Sequence, residues 1–225
     1  MFRVARLIAA KDLRIEMRSR VVTNQVLPFA AIVMVMFAFA LKTDEVVEKV
    51  APGLVWLATL FSLLILVQRA FAIETADGAT EAMRAAGVDP AGIFLGKTLA
   101  LAAQLAVLEI LLLVLAVVLY SAKLHAGGVV LLVTTLLAAT CALALVGTLY
   151  GGLAAGVRGR ETLLPLLLLP VVAPVLIGAT RATEAALGTS GAVVSDGWPW
   201  LGLLGVFVAL FSVGGTLAFG PLIEE

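Results

Sequence analysis

Six apolar runs set the terms for this chain. They cover residues 21–41, 51–73, 93–120, 128–156, 163–180 and 198–223. A helix needs about 20 apolar residues to cross about 30 Å of hydrocarbon, and each run comes close to that length or exceeds it. None alternates polar and apolar residues in short segments, so a lipid-facing β-barrel is disfavoured. The chain is 62% hydrophobic and only 13% charged, where a soluble domain of this length carries about 25% charged residues. One water-facing fold cannot bury that much apolar surface. The fold class read from this pattern is an all-α integral membrane protein: a single transmembrane domain of six helices over residues 1–225.

The first run is read as a retained span rather than a cleaved signal. The basic stretch before it contains Asp12 and Glu16, and the run exceeds the 7–15 residues usual for a signal core. Lys and Arg then orient the bundle. With the N-terminus inside, that side carries Arg3, Arg6, Lys11, Arg14, Arg18, Arg20, Arg69, Arg84, Lys97, Arg158 and Arg160. The outside carries Lys42, Lys49, Lys123 and Arg181. The bias predicts both termini in the cytoplasm. Trp56, Tyr120, Trp198 and Trp200 then fall at the outer ends of spans, the place of an interfacial aromatic belt.

Two elements are expected on the inner side. Residues 1–20 form a basic helix with two apolar stripes, one through Phe2, Ala9, Leu13 and Met17, the other through Val4, Ile8 and Ile15. Such a helix can lie in the headgroup plane, with lipid on one side and protein on the other. Residues 74–92 form a loop with a short helix inside it. Asp77 is a good N-cap, and Gly87 with Pro90 a good stop. The helix would present Gly78, Thr80, Glu81 and Arg84 to a partner. A plain connector has no need of a capped helix.

"GIFLGKT", from Gly92 to Thr98, nearly spells a phosphate-binding loop. The glycines are one residue too close, and no strand precedes them, so the backbone cannot curl around phosphates. Lys97 is instead expected to anchor span three, its ammonium reaching lipid headgroups.

Within the membrane, Glu109 is the acid nearest the middle of a span. A carboxylate there must face protein or water. Gln104 stands about 140° away on the helical wheel and does not share its face. Gln68 and Arg69 lie near the inner end of span two. Pro165, Pro170 and Pro174 each remove a helix hydrogen bond and mark span five as a kink or hinge. Gly147 and Gly151 permit close helix contact, within the chain or between copies. Cys141 reads as packing and His125 as an ordinary loop residue. No nucleophile–base pair, metal-ligand cluster or carboxylate pair is visible, so neither an enzyme nor a metal site is expected.

Three stretches together resemble the CcmB family: "APGLVWLATLFSLLILVQRAF", "ETADGATE" and "LPVVAPVLIGAT". Ala51, Pro52, Gly53, Trp56, Arg69, Phe71, Asp77, Gly78, Glu81, Leu169, Pro170, Pro174 and Ala179 carry the likeness. Gln68 departs from it, standing where an acid is expected. The resemblance implies the permease subunit of a haem-exporter-type ABC transporter of cytochrome c maturation in the bacterial inner membrane. It implies a second copy of the chain, the ATPase CcmA, CcmC and CcmD, and the haem chaperone CcmE as partners. ATP would enter through the ATPase, and haem would be handled by the complex. The other readings are an ABC-2-type permease for lipid, drug or glycan, an ion-coupled carrier, and a membrane scaffold without transport.

Overall fold

The computed structural model describes residues 1–41, 43–76, 78–120, 126–155 and 160–224. Among these there is no strand. Helix α1 (Phe2–Ser19) is followed by a π-turn (Val22–Val26) that leads straight into α2 (Leu27–Ala40). Then come α3 (Asp44–Ala76), the short α4 (Ala79–Ala85), α5 (Pro90–Tyr120), α6 (Val129–Ala155), α7 (Arg160–Leu187) and α8 (Trp198–Glu224).

Six helical stretches are long and apolar enough to cross a bilayer: Val22–Ala40, Glu45–Glu74, Pro90–Tyr120, Val129–Ala155, Thr162–Leu187 and Val194–Leu222. Each overlaps one of the six apolar runs, and several extend past it. The fifth was expected to end at residue 180 and runs to Leu187. Arg181 and Glu184 pair one turn apart at 3.0 Å, so these charges sit comfortably on the helix. Ala182, Thr183, Ala185 and Ala186 are buried, and Gly188, at φ 67°, ends the helix. Such a left-handed residue is a common helix stop.

Helix α3 is the axis of the bundle. It packs on α2, α5, α6 and α7, and Leu63, Leu66 and Val67 are fully enclosed. Small residues set the spacing. A Cβ on Gly147 would meet Leu63 at 2.9 Å, and one on Gly151 would meet Phe71 at 2.4 Å. The two glycines therefore let α6 close on α3 inside one chain, which decides between the contacts left open above. Helix α8 lies at the edge. Its inner side is locked where the Phe94 ring fills the space beside Gly215, and Val206, Leu210, Val213 and Leu217 face outward.

The expected aromatic belt is not formed by Trp56 and Tyr120, which are almost wholly buried. Trp56 Nε1 donates to Thr183 Oγ1 at 3.0 Å, and Tyr120 donates its hydroxyl to the Met34 carbonyl at 2.6 Å. A buried indole or phenol needs a partner for its polar end, and these helices supply one from within the bundle. Trp198 is exposed, as a belt residue would be.

Candidate functional site

Helix α1 runs along the first turns of α5, in the same direction. A Cβ on Gly92 would meet Val4 at 2.8 Å, and one on Gly96 would meet the Ala5 carbonyl at 2.6 Å and Ile8 Cβ at 2.6 Å. Only glycine allows so close an approach. The "GIFLGKT" stretch is thus a helix-packing surface, in which glycines four apart let two backbones meet. Ala5, Ile8 and Ala9 are buried in that contact, while Phe2, Leu7 and Met17 point outward. The two-sided character read from the sequence is present, with Ala9 on the protein side rather than in a stripe with Phe2.

The same packing turns the charged residues of α1 inward. Lys11 and Asp12 meet Glu74, from the last turns of α3, and Lys97 of α5. Lys97 Nζ lies 2.7 Å from Glu74 Oε2 and 3.6 Å from Asp12 Oδ2. Lys11 Nζ lies 2.5 Å from Glu74 Oε1 and 3.1 Å from Asp12 Oδ1. Each carboxylate is bridged by both ammonium groups, and the four formal charges sum to zero. The Lys97 and Glu74 side chains are only 4% and 6% exposed. Lys97 also stands 4.7 Å from the centre of the Phe71 ring, a cation–π contact.

Lys97 is therefore not the headgroup anchor expected above. The glycine at position 96 brings α1 over its stem and closes the route to lipid. Two acids take the ammonium instead. For Lys11, burial pulls the pKa down, but the hydrogen bond to Glu74 and the charge of Asp12 outweigh it and hold the ammonium above its ordinary value.

Directly after this cluster the chain turns into α4. Gly78 (φ 63°) opens the turn and Gly87 (φ 65°) closes it, both in the left-handed region that favours glycine. The Ala82 N–H reaches the Gly78 carbonyl at 3.1 Å, and the Val88 N–H reaches Met83 at 3.1 Å. Met83 packs toward the core, while Glu81, Ala82 and Ala85 are exposed. Of the residues expected to dock a partner, Gly78 and Glu81 are thus placed, Thr80 and Arg84 are described by backbone alone, and Asp77 lies outside the described residues. So do His125 and Arg158.

The CcmB protein family model matches residues 3–223. The chain belongs to the CcmB family. It is 32% identical to the heme exporter protein B of Rhodobacter capsulatus, over 81% of this chain and 84% of that protein. It is 31% identical to that of Haemophilus influenzae, over 80% of each. With that of Paracoccus denitrificans the identity is 30%, over 94% of this chain and 92% of the other. With its six apolar helices, this CcmB-family chain is a multi-pass bacterial membrane protein.

Of the other polar positions of this CcmB-family chain, Gln68 and Arg69 stay together, while Glu109 lies elsewhere in the bundle. Gln68 and Arg69 are half-buried and line a cavity of about 280 Å³ with Phe71, Gly151 and Leu164. Arg69 also borders a smaller cavity beside Asp12, Glu16 and Glu74. Glu109 is buried and accepts a hydrogen bond from the Thr140 hydroxyl of α6 at 2.5 Å. Its other oxygen, Oε1, is buried with no hydrogen-bond partner among the described residues. Pro165, Pro170 and Pro174 all lie inside α7, which stays helical through them. Among the described residues no group of three or more His, Cys, Asp or Glu could hold a metal ion.

Proposed function

We propose that this chain is the permease subunit of a haem-exporting ABC system in cytochrome c maturation. Its task is to turn the ATP cycle of a separate ATPase into release of haem-loaded chaperone on the far side of the membrane. The observation that carries this reading is the position of α4. The helix hangs on glycine hinges immediately beyond Glu74, and Glu74 is tied by charge to α1 and α5. A push on α4 thus reaches three helices at once. The basic bias of the loops puts this end in the cytoplasm, where an ATPase of the CcmA type would meet the exposed Glu81 face.

The chain itself brings no nucleotide chemistry, so the partner hydrolyses ATP. The role is mechanical: the α3–α4–α5 unit shifts against the proline-rich α7, and the outer face responds. CcmC, CcmD, the chaperone CcmE and a second copy of the chain complete the assembly. The curated relatives' shared description as heme exporters supports haem as the cargo handled by the complex.

The test is a triple substitution, Asp77→Ala, Glu81→Ala and Arg84→Ala, in the assembled complex. ATP turnover is expected to continue while chaperone release falls away, with the chain still in the membrane. Release at the normal rate per ATP would refute the docking role of α4.

A further inference from the structure

The last turn of α1, the π-turn and the middle of α5 enclose a groove of about 470 Å³. Leu13, Met17 and Val107 give it an apolar wall, and Glu16, Arg20 and Gln104 a polar one. Two features make it more than a gap. Glu16 and Arg20 carry opposite charges into the groove yet do not pair with each other. Glu16 Oε1 is held by the Val22 N–H at 2.6 Å, and Arg20 stands at a left-handed φ of 52°. The half-buried Gln104 amide also lines the groove.

The groove stands where a basic helix passes into a bilayer-crossing one, so its natural occupant is a lipid. Its charge pattern narrows the choice. The outward side of α1 bears Arg3, Arg6, Arg14 and Arg18, all exposed, and these attract any anionic lipid without discrimination. The groove instead is lined by one cation, Arg20, and one carboxylate, Glu16. A headgroup bearing both charges matches it. A primary ammonium can donate charge-assisted hydrogen bonds to Glu16, and a guanidinium can grip a phosphate at two points. A trimethylated ammonium has no N–H to donate, and a purely anionic headgroup would set negative charge beside Glu16.

We propose that this groove seats an ethanolamine phospholipid, with its phosphate on Arg20, its ammonium on Glu16 and an acyl chain along Met17 and Val107. The full-length chain is reconstituted in choline-lipid nanodiscs doped with either ethanolamine or anionic glycerol lipid. Lipids that survive delipidation are then counted by native mass spectrometry. Ethanolamine lipid is expected to be retained about tenfold over choline lipid, the factor that one added charge-assisted hydrogen bond supplies. Glu16→Gln keeps an acceptor for the Val22 N–H but erases that preference. Arg20→Gln lowers retention of ethanolamine and choline lipid alike, whereas Arg18→Gln leaves both unchanged and lowers only that of the anionic lipid. Ala103→Trp fills the groove and removes the bound lipid without touching either charge, with an unchanged melting temperature reporting an intact fold. Equal retention of choline and ethanolamine lipid would overturn the proposal. So would preferential retention of the anionic lipid, or equal effects of Arg18→Gln and Arg20→Gln.

Discussion

At the end of the bundle that carries α4, three helices meet through four charged side chains: Lys11, Asp12, Glu74 and Lys97. About 27 Å away along α3, helices meet through an indole on a threonine and a phenol on a carbonyl, all neutral. The two ends differ in what happens when one partner leaves. A neutral hydrogen bond is worth about 0.5–1.5 kcal/mol net. A buried charge that loses its counter-charge costs about 3–5 kcal/mol. The charged end is therefore the one where a small displacement has a large energetic consequence, and it is the end next to α4. The neutral end holds the bundle together with little at stake in any single contact.

The sharpest way to break this contrast is Glu74→Gln. It leaves Lys97 buried with only Asp12 at 3.6 Å. A loss of about 3–5 kcal/mol is expected in reversible unfolding of the purified protein. The double substitution Glu74→Leu with Lys97→Leu should recover much of it, because no buried charge of that pair is then left alone. A double variant as unstable as the single one would mean that the charges are not acting as a pair. Gly96→Leu comes next. Its side chain would collide with the Ala5 carbonyl and Ile8, at a cost of about 1–3 kcal/mol. Hydrogen exchange should show α1 opening while α6 and α7 stay protected.

At the neutral end, Trp56→Phe removes the indole donor but keeps most of the ring. About 1 kcal/mol is expected, read as a small fall in melting temperature. A fall as large as that of Glu74→Gln would erase the distinction between the ends. The smallest effect concerns pH. Lys11 has its pKa raised in the fold, so its contribution is fully present below the ordinary lysine value of 10.5 and is lost only above it. Melting temperatures of the wild type and of Lys11→Gln should therefore keep a constant separation from pH 6 to 9.

Much of this architecture is legible in the sequence, because membrane crossing demands length and hydropathy that nothing else in the chain imitates. The short α4 is legible too, through the glycines and Pro90 that bracket it. The charged cluster is not. Lys11, Asp12, Glu74 and Lys97 are scattered over 87 positions (97 − 11 = 86 apart, counted inclusively). The first two lie in the basic stretch before the first apolar run, and the others near the ends of runs, where a charge reads as an anchor. What unites them is the docking of α1, and that depends on Gly92 and Gly96. Those glycines sit in a stretch whose likeness to a nucleotide loop hides their packing role. Trp56 and Tyr120 mislead for a similar reason: span ends suit a lipid interface, and only tertiary contacts show that these two rings turn inward.

The central claim is that the charged end faces the cytoplasm and offers α4 to an ATPase. One cysteine tests it most directly. Cys141 is replaced by Ser and Glu81 by Cys, and intact cells are treated with a membrane-impermeant maleimide before and after permeabilisation. Labelling that appears only once the inner membrane is opened is the predicted result. Labelling of intact cells whose outer membrane alone has been made permeable would put α4 on the wrong side and contradict the account.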